Sequence, residues 1–425
     1  MSTATLFDRS YELRKIDLLG EVLDRLREVY TPEEAAALRI VPVNSEILSQ
    51  RSGRGFVNRD ILETVLGNLL ECVTPGSHNA VAPQATHGLD LAIGEVADQL
   101  YAMVAQSLLA AGQEKQLEEV ASASTYALLW NIPSLKERSL WNRFASLKDP
   151  AVWDAYLLNT CGLSGKELSN LEFGLHLDNA IVKRDSDLYR DYLKELKCDS
   201  IFDYQMQLVM STYPGWRILF YHDVAHSLTQ SGSLPGRAQL HRFPVPFLPR
   251  AISELCARYY QADIHPETEI GDASFLDHPH RGLTTGQTGV IGSGCHLMPC
   301  TLGGLSRRLR RRHPKLGNYV FVGTDANLIG PVQIGDYSMI GPNTEIYGLV
   351  DVGQNSRIGS SVVIGTVKAL GLRPGRVIVG DNVRVGDGTI IENESNEDLV
   401  VPDNMQIPAH SHVVNKDGFP DFVGH

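Results

Sequence analysis

The chain has 425 residues, 43% apolar and 21% charged, and at roughly 150 residues per domain that length allows two to three domains. Such a composition excludes wholesale disorder and a membrane protein. Lys and Arg number 38 against 50 Asp and Glu, a formal charge of −12, which argues against a general nucleic-acid binder.

Asp8, Arg9, Glu12, Arg14 and Lys15 stand where a signal peptide needs an apolar run, and no stretch approaches a membrane span. A cytoplasmic location is expected. Up to about residue 260 the apolar period is helical. Tyr11 to Tyr30 places Leu13, Ile16, Leu19, Val22, Leu23 and Leu26 on one face. Thr31 follows as an N-cap with Pro32 at the first helical position. Amphipathic runs recur at Asp60–Val73, Leu89–Ala111, Glu167–Val182, Leu188–Leu196, Trp216–Leu228 and Ile252–Tyr260, with a Pro/Gly-rich loop over Thr74–Thr86. Such stripes read as packing faces. The six cysteines are scattered without CxxC pairs or zinc spacing, so buried thiols are expected rather than a disulfide framework or a metal site.

From Ile264 the period becomes six. Leu, Ile or Val recurs at 264, 270 and 276, at 291 and 297, at every sixth residue from 316 to 364, and at 379, 385 and 391. The residue four places later is Ser, Thr, Ala, Val or Cys except at His280 and Lys368. This is the hexapeptide pattern of a parallel β-helix, whose coils turn where a small residue fits. Of the 38 glycines, 22 fall between Asp263 and Ile391, many directly after the aliphatic residue, where a Cβ is costly. Three loops break the pattern, Asp277–Val290, Leu302–Lys315 and Thr366–Ile378, and they concentrate His and Arg. Loops on a rigid scaffold are where chemistry is usually placed.

Several motifs then coincide: Ala262-Asp-Ile-His-Pro, Phe275-Leu-Asp-His, Thr285-Gly-Gln-Thr-Gly-Val-Ile-Gly, Thr301-Leu-Gly-Gly and Arg312-His-Pro-Lys-Leu-Gly. As a set, with their spacings, they resemble the serine O-acetyltransferases of cysteine biosynthesis. Cys198-Asp-Ser-Ile-Phe-Asp and Tyr213-Pro-Gly-Trp resemble more loosely the helical segment that precedes the β-helix there. The resemblance covers about residues 185–395 and implies a left-handed parallel β-helix, a homotrimer with sites between subunits, and acetyl-CoA as donor without a metal. It implies His278 as general base with Asp263 as carboxylate partner and His313 as a second active-site histidine. Asp199, Asp277 and Arg312 correspond to residues that hold the amino acid, and Gly304 and Thr324 to residues along the CoA channel. A serine hydroxyl is a poor nucleophile until a base takes its proton, and a carboxylate steadies the imidazolium. Asp263 also reads as a turn residue of the first coil, and the run Arg307–Arg312 either as a solvated loop or as a loop meeting CoA phosphates.

The expected architecture is α+β, with a helical extension over 1–184, a helical segment over 185–262, the β-helix over 263–395 and a tail over 396–425. Gln287 stands where the family has Glu, and Pro279-His-Arg-Gly replaces a small Gly/Ala-Thr-Gly stretch. Both changes lie beside the acceptor pocket. Homoserine or a sugar therefore stays open as the acceptor, as does an inactive assembly or regulatory subunit. The chain ends Phe422-Val-Gly-His without the family's terminal Ile, so docking to the sulfhydrylase is not carried over. Pairing of trimers stays open.

Overall fold

A computed structural model describes residues 6–7, 9–44, 48, 58–76, 78–79, 82–133, 213–229, 245–271, 274–305, 310–366 and 375–423. Asp199, Arg307, Arg308 and the helices expected at Glu167–Val182 and Leu188–Leu196 lie outside the described residues. The chain forms two compact units, one of Met1–Ser139, Ile218–Tyr259 and His265–Glu267, the other of Leu140–Arg217, Tyr260–Ile264 and Thr268–His425. Among the described residues no helix is long and apolar enough to cross a membrane.

The helical elements are α1 (Arg9–Val29), α2 (Pro32–Ala37), α3 (Arg59–Val73), α4 (Leu89–Ala110), α5 (Leu117–Trp130), α6 (Pro214–Ser227) and α7 (Leu248–Tyr260). Thr31 caps α2 as its sequence predicts: Thr31 Oγ1 accepts from Glu34 N, and Glu34 Oε2 accepts from Thr31 N. Helix α5 was not legible in the sequence, because ten of its fourteen residues are buried and little polar stripe remains to set a period. A two-residue ladder, β1 (Arg39–Ile40) with β2 (Thr86–His87), is likewise too short to show one. The buried carboxylate of Glu71 ties Arg39 of this ladder to the turn after α3, accepting from the backbone N–H groups of Arg39, Gly76, His78 and Asn79. Leaving such a group unpaired would cost several kcal/mol in order of magnitude.

From Ala262 the chain winds into a parallel β-helix with three flat faces. Among the described residues these are two sheets of seven strands and one of nine. The first face begins at Glu269–Ile270, the second at Phe275–Leu276 and the third at Ala262–Ile264. On the first face Lys315 pairs with Gln333 and Gln333 with Asp351, so a regular coil takes 18 residues, three hexapeptides. The aliphatic residues of the repeat point inward; Leu316, Val322, Leu328, Ile340, Ile346 and Ile364 have no exposed surface. Small polar residues four places later turn inward at the edges. Ser338 Oγ donates to Gly353 O and Thr344 Oγ1 to Gly359 O, both at 2.8 Å, tying each coil to the next.

The tight turn itself falls three residues after the aliphatic position. Tyr337, Asn343, Asn355 and Asn382 stand there with φ between 55° and 59°. Asn tolerates this left-handed conformation better than most residues. The glycines after the aliphatic residues meet a different need. A Cβ at Gly341 would lie 2.4 Å from Gly359 O and one at Gly335 2.5 Å from Gln354 N, so they let coils stack closely.

Two boundaries differ from expectation. The loop expected over Asp277–Val290 contains the strand Leu283–Thr285, which pairs with Ala262–Ile264, and only the short turn at Pro279–Arg281 leaves the pattern. The tail expected from residue 396 is another coil. Leu399–Val401, Gln406–Ile407 and His412–Lys416 each add to one face, and Phe419–Phe422 folds back antiparallel on the last. Val401, Ile407 and Val413 resume the period of six with at most 3% exposure. A four-residue shift in pairing had hidden it, since Ile390 pairs with His412. Asn393 fastens the inserted residues by donating to Arg376 O and Glu397 O.

Candidate active site

The edge between the second and third faces carries His278. Asp277 ends the strand Phe275–Leu276, its N–H donating to Leu297 O at 2.9 Å. His278 follows with φ 48°, one residue earlier than the regular turns, and the 3-10 turn Pro279–Arg281 lifts the chain away. Left-handed backbone at a bulky residue is uncommon and clusters at functional sites. The His278 side chain is 57% exposed, and its Nε2 lies 3.5 Å from Asp277 Oδ1. The other oxygen, Oδ2, accepts from His296 Nε2 at 3.2 Å. Asp263 stands in the strand that packs on the Pro279–Arg281 turn, in register with Thr284. Gly215, at the start of α6, fits under the same edge: a Cβ there would lie 2.2 Å from Leu276 O.

His296 was not singled out in the sequence. It precedes the inward Leu297 and pairs with Phe275 on one side and Phe321 on the other. Both phenyl rings meet its imidazole edge-on, at 4.9 and 5.1 Å. The signal appears only once coil register is known, because these three residues are neighbours across coils and 21 and 25 residues apart in the chain.

Farther along that edge, after Thr324, an open groove of about 880 Å³ is lined by Met339, Arg357, Ser360, Arg384, Asp387 and Gln406 among others. Arg357 and Arg384 are register neighbours. The Asp387 carboxylate accepts from Ser360 N at 2.7 Å.

The edge between the third and first faces carries His313, 7% exposed. Thr288 N donates to His313 Nδ1 at 3.2 Å, and Thr288 Oγ1 lies 2.9 Å from the same nitrogen. A backbone N–H can only donate, so Nδ1 is the bare nitrogen and a neutral ring carries its proton on Nε2. That nitrogen faces two glycines: a Cβ would come within 1.8 Å of it at Gly286 and 2.7 Å at Gly304. Gly304 is thus glycine because an imidazole lies against it. Arg312 N donates to Thr288 Oγ1, and Arg312 Nη2 to Gln287 Oε1 at 3.3 Å. Leu305 N donates to Arg312 O and closes the base of the arginine-rich loop.

One chain therefore does not bring its two principal histidines together. His278 precedes and Gly286, against His313, follows the third-face strand Leu283–Thr285, and three strand residues span roughly 10 Å. Among the described residues no group of three His, Cys, Asp or Glu side chains is placed to hold a metal ion.

Residues 313–348 match the family model described as bacterial transferase hexapeptide (six repeats). Part of the β-helix therefore matches transferase hexapeptide repeats. As the resemblance leads one to expect, a parallel β-helix of hexapeptide repeats follows the helical region. Curated proteins similar to this chain include serine acetyltransferases. Over 127 residues the chain is 36% identical to that of Synechococcus elongatus, a match covering 30% of this chain and 47% of that protein. It is 34% identical over 125 residues to that of Helicobacter pylori strain 26695, covering 29% and 66%. The chain thus spans about half the length of the first relative. Among solved structures, serine acetyltransferase 1 of Entamoeba histolytica in complex with L-cysteine aligns over 80% of this chain and 98% of that one, with TM-score 0.48 and 19% identity.

Proposed function

We propose that this protein is an acetyl-CoA-dependent O-acetyltransferase acting on the hydroxyl of L-serine, assembled as a trimer whose sites are shared by neighbouring chains. The observation that carries this reading is the exposed His278 beside the Asp277 carboxylate, on the edge of a hexapeptide β-helix, in a chain that is 36% identical over 127 residues to a serine acetyltransferase.

His278 takes the hydroxyl proton as the serine oxygen attacks the thioester carbonyl. The carbonyl carbon becomes tetrahedral and its oxygen anionic, and backbone N–H groups around Gly304 are suited to receive that charge. The C–S bond then breaks, the acetyl group stays on the serine oxygen, and the imidazolium returns its proton to the CoA thiolate. Asp263 stabilises the imidazolium, as a carboxylate does for a catalytic histidine. Asp199, Asp277 and Arg312 hold the amino acid, the guanidinium being suited to gripping its carboxylate. His313, kept neutral-capable with its proton on Nε2, completes the pocket from the neighbouring chain. The separation of His278 and His313 by a whole face supports that assignment, since a trimer juxtaposes opposite edges of adjacent prisms.

Acetyl-CoA runs along the second-to-third edge past Thr324, with its phosphates toward Arg357 and Arg384. The groove's place on the same edge as His278 supports this path. A thiol-release assay with acetyl-CoA and a panel of L-serine, homoserine and sugars tests the reading. Release with L-serine as the preferred acceptor is expected. Preference for another hydroxyl would move the acceptor, and no release with any would overturn the enzyme.

A further inference from the structure

Asp277 is gripped from beneath by an imidazole that the reaction itself does not use. The side chain of His296 is 4% exposed and that of Asp277 13%. A carboxylate only accepts hydrogen bonds, so His296 carries its proton on Nε2 and donates it to Oδ2. The ring cannot swing away, since Phe275 and Phe321 close on it with interplanar angles of 83° each. The Asp277 backbone is fixed as well, through its N–H on Leu297 O. With main chain and Oδ2 both held, Oδ1 is fixed 3.5 Å from His278 Nε2.

We propose that His296 is a positioning residue that presents Asp277 Oδ1 to the ammonium group of an amino-acid acceptor. The inference deepens the acyl-transfer reading and rests on it. It also narrows the acceptor class: a preset carboxylate oxygen beside the base suits a substrate with a cationic amine close to its hydroxyl, and gives a neutral sugar hydroxyl no such partner. A buried polar group of this kind is costly unless fully paired, so the pairing of His296 with Asp277 fits a site that must be rigid before substrate arrives.

Two variants separate positioning from packing. His296→Phe keeps an aromatic ring between Phe275 and Phe321 and removes the donor. His296→Gln keeps an N–H donor at a similar reach and removes the ring. Positioning predicts that His296→Phe raises KM for L-serine about tenfold or more, as loss of a hydrogen bond to a charged group does, with KM for acetyl-CoA unchanged. His296→Gln then stays within about threefold of wild type, as a conservative partner allows. The reverse order, Phe like wild type and Gln impaired, assigns His296 to packing and overturns the inference.

A second readout holds even where a variant fails to fold or where wild type releases no CoA. In the full-length protein without substrates, the histidine long-range 15N–1H spectrum should show His296 protonated on Nε2, with that nitrogen's signal moving in Asp277→Asn. A signal that does not move means the contact does not exist. Wild-type thiol release decides acyl transfer on its own, so its failure is distinguishable from a failure at His296.

Discussion

His278 stands exposed at the end of a strand whose next coil is buried, so a base can meet substrate there without any rearrangement of the scaffold. Replacing it by Ala is expected to lower turnover by roughly 10²–10⁴, the usual contribution of a positioned base, while acetyl-CoA affinity measured by calorimetry stays near wild type. Turnover like wild type would remove His278 from the mechanism. Gly286→Ala makes a second residue-scale test. Its Cβ would lie 1.8 Å from His313 Nε2, so the ring must leave its place against Thr288, and kcat should fall at least about tenfold, the scale of effect that small misplacements of catalytic groups have. The sequence motifs single out Asp263, Asp277, His278, Arg312 and His313 as candidates. They could not mark His296 or Thr288, because each acts on a residue about 19 to 25 positions away whose nearness depends on coil register. Gly304, which the resemblance assigns to the CoA channel, has an imidazole nitrogen of His313 2.7 Å from where a Cβ would lie.

At the scale of the coil, stacking distance decides what is tolerated. Gly341→Ala places a methyl 2.4 Å from the backbone oxygen of Gly359, and overpacking of this kind costs about 1–3 kcal/mol. A corresponding drop in unfolding midpoint by denaturant titration is expected, and an unchanged midpoint would mean that the coils do not approach as described. Along the second-to-third edge, Arg357→Ala and Arg384→Ala should each raise KM for acetyl-CoA and leave KM for L-serine unchanged. A change confined to L-serine would place the donor elsewhere. The period of six made the β-helix legible from residue 264 to 391, since an aliphatic residue every sixth position has no competing explanation over nine consecutive repeats. The closing coil escaped because a four-residue insertion broke the count before Val401. Helix α5 escaped for the opposite reason: burial on nearly every side erased the polar half of its pattern.

At the scale of the molecule, burial sets how the protein responds to alkali. It pushes the thiols of Cys256, Cys295 and Cys300 up to about 12. An unfolded thiol titrates near 8.5, so above that pH the unfolded chain loses protons that the folded chain keeps. The folded-state values being raised, this contribution is fully present below about pH 8.5 and is lost as pH rises toward 12. Unfolding free energy should therefore decline over that window, and thiol reagents at pH 8 should label these cysteines only on unfolding. Rapid labelling of the native protein would contradict their burial. Assembly belongs to this scale too, because a single chain carries His278 and His313 on opposite edges of one face, and the proposed site closes only across two chains. Mixed assembly of His278→Ala and His313→Ala chains tests this most directly, with CoA release from acetyl-CoA and L-serine as the readout. Each variant alone should be nearly inactive, while random mixing in a closed ring recovers about a quarter of wild-type turnover, since one junction in four joins an intact His278 to an intact His313. Mixed assemblies no more active than the single variants would contradict a site shared between chains.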